Sequence, residues 1–206
     1  MAMWKALAQF ALAVAVTVAL GAAPAAAQLE GSYKAIGDVP AANSTDTVLF
    51  EEYINFTCPH CNNFRKAAQP LKEKYGDRLK LVDVPILFRG QADHPIRLYY
   101  VAAEQGRAEE VKNLIFDAAF KYGADIYDPT VVSYLARSAD LGQAYEQNAN
   151  SERITQKVRR AQQKATQAGV QVTPTVVLEG SLLVVPEQGM QAFVNNLDRL
   201  IGQMLR

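Results

Sequence analysis

The sequence predicts an α/β domain with a mixed central sheet, flanking helices and an inserted helical subdomain. Three observations lead to this fold class. A β-branched and aromatic run at 47–54 precedes a helical segment and a second apolar run at 79–87. Apolar residues at helical spacing then fill about 93–168. A hairpin pattern at 172–185 precedes a final helix.

The first elements of the fold alternate strand, helix and strand. Residues 28–43 are polar and predict a loosely held arm ahead of the first strand. A helix begins at Cys58, with Pro59 in the first turn, where the missing N–H of proline has no cost. We expect Pro70 to kink this helix and Gly76 to end it. Strands that are joined through a helix should be parallel.

The later elements are predicted from their caps. Asp93, Asp128 and Ser151 are N-cap residues that begin helices of the insertion, and Gly169 ends the last of these helices. The two strands of the hairpin are antiparallel, so the whole sheet is mixed. The final helix is expected over about 186–205, with its apolar residues on one face.

Residues 1–27 have the features of a cleaved secretory signal peptide. Lys5 precedes an apolar run, 6–21, and three alanines ending at Ala27 predict cleavage before Gln28. The alternative is a permanent membrane anchor, but the apolar run is shorter than the roughly 20 residues that a spanning helix needs. The sequence therefore predicts export of a single domain that covers 28–206.

The charge of the chain argues against nucleic acid as a partner. The 206 residues contain 21 basic and 21 acidic side chains. Removal of 1–27 takes away one lysine and no acid, which leaves 20 basic residues (21 − 1) against 21 acidic residues. A nearly neutral chain has no electrostatic reason to bind nucleic acid or an anionic membrane surface.

The chain has only two cysteines, and they form the tetrapeptide Cys58-Pro59-His60-Cys61 directly after the first strand. A C-x-x-C pair between a strand and a helix is typical of a thiol–disulfide redox centre. The helix dipole, and a hydrogen bond or positive charge from His60, should stabilise the thiolate of Cys58. Cys61 lies one turn deeper and should be the resolving thiol.

Two other interpretations of the cysteines are a structural pair and half of a zinc site. His60 and His94 could complete a set of four zinc ligands. However, His60 lies inside the C-x-x-C loop, where its side chain would not easily reach the same metal. We therefore predict no metal, and we read His94 as the start of a helix.

These residues resemble a known family, the DsbA-type thiol:disulfide oxidoreductases of the bacterial periplasm. The resemblance rests on the tetrapeptide at 58–61, on Glu52 six residues before it, and on Thr173-Pro174 followed by β residues. It implies a thioredoxin-like fold, with Pro174 in the cis form and Thr173 available to pair with an extended substrate. It also implies that Glu52 is a buried acid that shuttles protons to Cys61, whereas Glu51 faces the other way.

The resemblance implies a periplasmic oxidase that transfers its disulfide to unfolded exported proteins with free thiols. The redox-active disulfide would be the only redox group, with no separate cofactor. A DsbB-type membrane partner would reoxidise the protein, which we expect to be a monomer. One departure is Thr173, where the best-known oxidases of the family have Val. Two alternatives therefore stay open: an isomerase or reductase kept reduced by a partner, and a non-catalytic peptide-binding chaperone.

Overall fold

The computed structural model describes residues 29–206, which form a five-stranded mixed sheet with helices on both faces. The predicted signal peptide lies outside these residues. The strands are β1 Lys34–Ala35, β2 Val48–Ile54, β3 Leu79–Pro85, β4 Thr175–Leu178 and β5 Leu182–Val184. The helices are α1 Pro59–Ala67, α2 Gln69–Tyr75, α3 His94–Ala103, α4 Ala108–Phe120, α5 Pro129–Ser138, α6 Gly142–Asn148, α7 Glu152–Ala168 and α8 Met190–Met204. In this part of the chain, no helix is both long and apolar enough to span a bilayer.

The sheet has the strand order β1-β5-β4-β2-β3. Strands β2 and β3 are parallel and in register from Val48↔Leu79 to Ile54↔Pro85. Strand β4 is antiparallel to both β2 and β5. The predicted mixed sheet is therefore confirmed, and the five helices α3–α7 lie between β3 and β4.

The cores of the sheet and of the helical insertion meet at the end of β2. Ile54, Phe56 and Cys61 are buried in the same apolar cluster as the insertion helices. The ring of Phe56 lies 5.3 Å from that of Phe116 in α4, between ring centres. The cysteine pair thus sits where the two halves of the molecule join.

From Leu29 onward the N-terminal arm is held against the rest of the fold, so the prediction of a loose arm over 28–43 is wrong for 29–43. Strand β1 pairs with β5, and the buried side chain of Leu29 packs into the sheet core. Side chains of α8 also bind the backbone of the arm. Asn196 Nδ2 donates to the carbonyl of Ser32 at 2.7 Å, and Gln203 Nε2 donates to that of Glu30 at 2.8 Å. Polar side chains of a distant helix hold this segment, a contact that its own composition could not reveal.

Two helix boundaries also differ from the predictions. The first helix does not run through a kink at Pro70, because α1 ends at Ala67 and α2 begins at Gln69. Proline removes one N–H and clashes with the preceding turn, and here it occupies the first turn of a new helix. The last helix begins at Met190 instead of near 186, after Gly189, whose φ is 89°.

Candidate active site

Cys58 is the N-cap residue of α1, and Pro59 occupies the first turn as predicted. The backbone of Cys58 is extended (φ −83°, ψ 116°), and its carbonyl accepts the N–H of Asn62 at 3.1 Å. This position places the Cys58 sulfur at the positive end of the helix. Cys58 is half-buried, whereas Cys61, one turn further, is fully buried. Both cysteines are free thiols in this structure.

The two thiols have opposite acidities. The pKa of Cys58 is lowered to about 5, chiefly by a hydrogen bond from the thiol of Cys61. The Thr173 side chain and the backbone N–H groups of Cys61 and His60 lower this pKa further, against the opposing effect of burial. Burial raises the pKa of Cys61 far above its usual range. At neutral pH the reduced site therefore holds one thiolate near solvent and one buried thiol.

His60 contributes through its backbone. Its side chain is exposed and, within residues 29–206, makes no hydrogen bond to the Cys58 sulfur. From the sequence we expected the imidazole ring of His60 to stabilise the thiolate of Cys58. A helix N-terminus points its backbone N–H groups at the capping residue, and here one of those groups belongs to His60.

Thr173 and Pro174 lie against the cysteine pair. Their peptide bond is cis, as the resemblance implied. In its protonated form, the Cys58 thiol donates to the carbonyl oxygen of Thr173 at 3.1 Å. The Thr175 hydroxyl donates to the carbonyl of Val172 at 2.7 Å and closes the turn. The hairpin half of the chain thus supplies one wall of the sulfur site.

A polar network that the sequence reasoning missed fixes the turn before Cys58. Asn55 is buried, and its Oδ1 accepts the N–H of Thr57 at 3.1 Å and the Thr57 hydroxyl at 2.8 Å. Its carbonyl accepts the N–H of Cys58 at 3.0 Å. Asn55 Nδ2 donates to Gln91 Oε1 at 2.7 Å, and the Thr57 hydroxyl lies 3.1 Å from that of Tyr127 in the insertion. An Asn two residues before Thr is a turn signal that could have indicated this role.

Glu51 and Glu52 are both buried, although we expected only one of them to point inward. The two side chains lie on opposite faces of β2, and helices cover both faces. Glu51 pairs with Lys164 of α7. Glu52 lies between Phe50 and Ile54 on the face that α1 covers. Burial, together with the charge of Asp83, raises the pKa of Glu52 to about 7.

Asp83 of β3 is the register partner of Glu52 in β2. Lys112 of α4, whose side chain is only 2% exposed, places Nζ 2.9 Å from Asp83 Oδ2. Lys112 also pairs with Glu109 at 2.6 Å. Asp83 keeps 14% side-chain exposure. This charge cluster joins residues of three elements, β2, β3 and α4, so no local pattern could reveal it.

An apolar groove of about 650 Å³ opens beside the cysteines. His60, Thr173 and Met190 contribute to it, together with Val172, whose side chain is 50% exposed. His94 is the first residue of α3, as predicted. Within 29–206, no three His, Cys, Asp or Glu side chains group closely enough to hold a metal ion.

Comparisons with known proteins agree with this fold and show the family of the chain. Residues 50–198, more than half of the chain, match a family model described as the DSBA-like thioredoxin domain. The thiol:disulfide interchange protein DsbA of Burkholderia cepacia is 25% identical over 130 residues, which cover 63% of this chain and 61% of that relative.

Two solved structures illustrate the likeness of the fold. DsbA of Pseudomonas aeruginosa aligns with a TM-score of 0.70 at 22% identity, over 83% of this chain and 91% of that chain. DsbA of Proteus mirabilis, in complex with a non-covalently bound peptide, aligns with a TM-score of 0.68 at 17% identity. That alignment covers 87% of this chain and 98% of the other chain.

Proposed function

This chain belongs to the DSBA-like thioredoxin domain family, and from that premise we propose that it is a thiol:disulfide oxidoreductase that transfers a Cys58–Cys61 disulfide to exported proteins. The observation that carries the proposal is the asymmetry of the two sulfurs. Cys58 is accessible and its pKa is lowered to about 5, whereas Cys61 is buried and its pKa is raised. An enzyme of this kind needs one stable thiolate and one protected thiol.

The proposed cycle consists of two thiol–disulfide exchanges. A substrate thiolate attacks the Cys58 sulfur of the disulfide, the Cys58–Cys61 bond breaks, and Cys61 leaves and takes up a proton. Glu52, on the face beneath α1, is the proposed proton donor. A second substrate thiolate then attacks the substrate sulfur of the mixed disulfide, and Cys58 leaves as a thiolate. The substrate loses two electrons and the protein gains them.

The acidity of Cys58 sets the direction of this transfer. The thiolate exists only in the reduced protein, so every contact that stabilises it favours reduction of the disulfide. For this two-electron couple, each tenfold change in the equilibrium constant corresponds to about 30 mV. A lower pKa also makes Cys58 the better leaving group in the second exchange.

The groove beside the cysteines suits an extended and partly apolar substrate segment. It lies between His60 of α1 and Met190 of α8, and Thr173 forms part of its wall. The Proteus relative is known with a bound peptide. We propose that this groove receives unfolded exported chains, with backbone groups of Thr173 pairing with them as an added strand.

The rest of the assignment follows from the family resemblance. We propose a periplasmic location after cleavage at residue 27, a DsbB-type membrane partner that reoxidises the protein, and a monomeric state. The redox-active disulfide would serve without a separate cofactor.

A reductase or isomerase is the second candidate, because Thr173 replaces the Val of the best-known oxidases. The contacts of Thr173 nevertheless favour the oxidase. Its side chain lowers the pKa of Cys58 and so stabilises the reduced site. A stabilised reduced site makes the disulfide a stronger oxidant.

The deciding experiment is the reduction potential of the cysteine pair. The purified protein is equilibrated in graded glutathione buffers, and free thiols are counted by alkylation and mass spectrometry. A couple more oxidising than glutathione supports the disulfide donor. A couple near the potential of thioredoxin, about −270 mV, contradicts it and supports the reductase or isomerase.

Two variants separate the enzyme from a chaperone. Cys58→Ser should lose all oxidation of a dithiol peptide, because it removes the attacked sulfur. The double variant Cys58→Ser with Cys61→Ser should also fail to assist folding of disulfide-containing proteins. Full assistance by the double variant would assign the protein to the non-catalytic peptide-binding class instead.

A further inference from the structure

A second groove lies along the outer edge of the sheet and does not include either cysteine. It has a volume of about 590 Å³. Strand β3 forms its floor, α3 and α4 form one wall, and α7 forms the other. We call it the β3 groove and define it by Leu81 and Val82 of the floor, Tyr99 and Lys112 of the first wall, and Arg160 of the second.

The floor of the β3 groove is an unpaired strand edge. Strand β3 is the last strand of the sheet and pairs only with β2. The N–H of Ile86 donates to the carbonyl of Ile54 at 2.8 Å, so the even-numbered residues of this segment face β2. The N–H and C=O groups of Leu81 and Asp83 therefore point outward. Within 29–206, no hydrogen bond reaches these outward groups.

The middle of this edge is unusually apolar for an open strand. Leu81 is 45% exposed and Val82 is 40% exposed. Proteins usually protect open edges with charges, short strands or proline. Strand β3 is seven residues long, its two charged residues, Lys80 and Asp83, flank the apolar pair, and its only proline, Pro85, is at its end. An open, apolar edge of this length has the form of a surface that accepts another strand.

The charged residues that line the β3 groove indicate the chemistry of its partner. Its lining includes three acids, namely Glu52, Asp83 and Glu109, and five cations, namely Lys72, Lys112, Lys157, Arg160 and Lys164. The net formal charge is +2 (5 − 3). Two of the acids already share Lys112, since Asp83 lies 2.9 Å and Glu109 2.6 Å from its Nζ.

Three of the other cations, Lys157, Arg160 and Lys164, lie on α7 at a spacing of three or four residues, so they face the groove together. The fourth, Lys72 of α2, places Nζ 3.6 Å from Glu109 Oε1. Lys157 pairs with Glu104 at 3.0 Å, and Lys164 pairs with the buried Glu51. Arg160 is exposed, and its contact within 29–206 is Gln156 Oε1 at 3.5 Å, with no acid. Arg160 is therefore the cation of the α7 wall that no acid within 29–206 neutralises, and it offers its positive charge to whatever occupies the groove.

We propose that the β3 groove binds an extended acidic segment of a partner protein, which adds to β3 as a sixth strand. The two walls determine which side chains of the added strand should be acidic and which should be apolar. Val82 lies on the face of the sheet that α7 covers, so partner residues on that face should be Asp or Glu. Leu81 lies on the opposite face near Tyr99, so the alternate residues should be apolar. This surface is distinct from the groove beside the cysteines.

The test uses the purified protein and two fluorescent ten-residue peptides, one alternating Glu with Val and the other alternating Lys with Val. Binding is followed by fluorescence anisotropy. The Glu–Val peptide should bind and the Lys–Val peptide should not.

Arg160→Glu should weaken binding by about tenfold, because it replaces an attraction with a repulsion. Arg159→Glu is the matched control, since Arg159 is exposed on the same helix but outside the groove, and it should leave affinity within about twofold.

A proline at 81 tests strand addition itself. Leu81→Pro removes an outward N–H, a place where an edge strand tolerates proline, and should abolish binding, whereas Leu81→Val should retain it. Oxidation of a dithiol peptide should stay unchanged in Arg160→Glu. Equal losses in Arg159→Glu and Arg160→Glu, full binding by a folded Leu81→Pro, or no binding to the Glu–Val peptide would overturn the proposal. Concentration-dependent dimers that Leu81→Pro abolishes would overturn it as well, because the occupant would then be a second copy of this chain.

Discussion

The Sγ of Cys58 lies 3.1 Å from the carbonyl oxygen of Thr173, to which the protonated thiol donates, although 115 residues separate the two in the chain. The side chain of Thr173, by contrast, stabilises the thiolate and lowers the pKa of Cys58. The hairpin half of the molecule therefore controls the chemistry of a sulfur that belongs to the first helix. Residues outside the tetrapeptide thus share in setting the redox properties.

Replacing Thr173 by Val should make the protein a weaker oxidant. The change removes a hydroxyl that stabilises the thiolate, so the pKa of Cys58 rises. A rise of one pKa unit lowers the potential by about 30 mV. Thiolate absorbance against pH and the glutathione equilibrium measure the two quantities. Thr173→Ser keeps the hydroxyl and should behave like the natural protein. If Thr173→Val and Thr173→Ser changed the pKa and the potential equally, the hydroxyl of Thr173 would be ruled out as the cause.

Replacing Asn55 by Ala should destabilise the turn that carries Cys58. The side chain of the buried Asn55 donates to the carbonyl of Ile86 and accepts the N–H of Thr57, and the change removes both hydrogen bonds. The expected loss is about 1–3 kcal/mol in the free energy of unfolding, measured with urea. Asn195→Ala, on the exposed side of α8, is the control. A loss no larger than that of the control would contradict the role of the network.

The contribution of Cys58 to the stability of the reduced protein should grow between pH 5 and pH 8. The pKa of Cys58 is about 5 in the folded protein and 9.0 ordinarily, so the unfolded chain binds more protons in this window. The stability from Cys58 is present above the ordinary pKa and is lost as the pH falls through 5. Its slope is at most about 1.4 kcal/mol per pH unit.

Urea unfolding at several pH values, compared with Cys58→Ser, isolates this contribution. Glu52 and the other titrating groups are common to both proteins and cancel in the difference. An identical pH dependence in the two proteins would show that Cys58 has no lowered pKa.

Replacing Lys112 by Met should destabilise the protein strongly. Lys112 is buried beside Asp83 and Glu109, and its loss leaves the partly buried carboxylate of Asp83 without a cation. Removing one member of such a pair costs about 3–5 kcal/mol, measurable by urea unfolding. Lys121→Met, on an exposed side chain, should change stability little. A small effect at 112 would mean that water, and not Lys112, compensates Asp83.

Local patterns predicted much of the fold. The caps Asp128 and Ser151 accept hydrogen bonds from the first turns of α5 and α7, as their positions suggested. The C-x-x-C helix and the hairpin also lie where their residues predict. These features depend on neighbours within a few positions of the chain, so the sequence carries them directly.

The sequence by itself determined the positions of the two cysteine sulfurs, the helix that begins after Cys58 and the alternation of strands and helices. Only the tertiary structure decided that Glu51 and Glu52 are both buried, that Lys112 compensates Asp83, and that Asn55 connects the cysteine turn to the insertion. The physical reason is distance along the chain. Burial and pairing depend on elements that meet only when the chain folds, whereas a cap, a turn or a strand depends on adjacent residues.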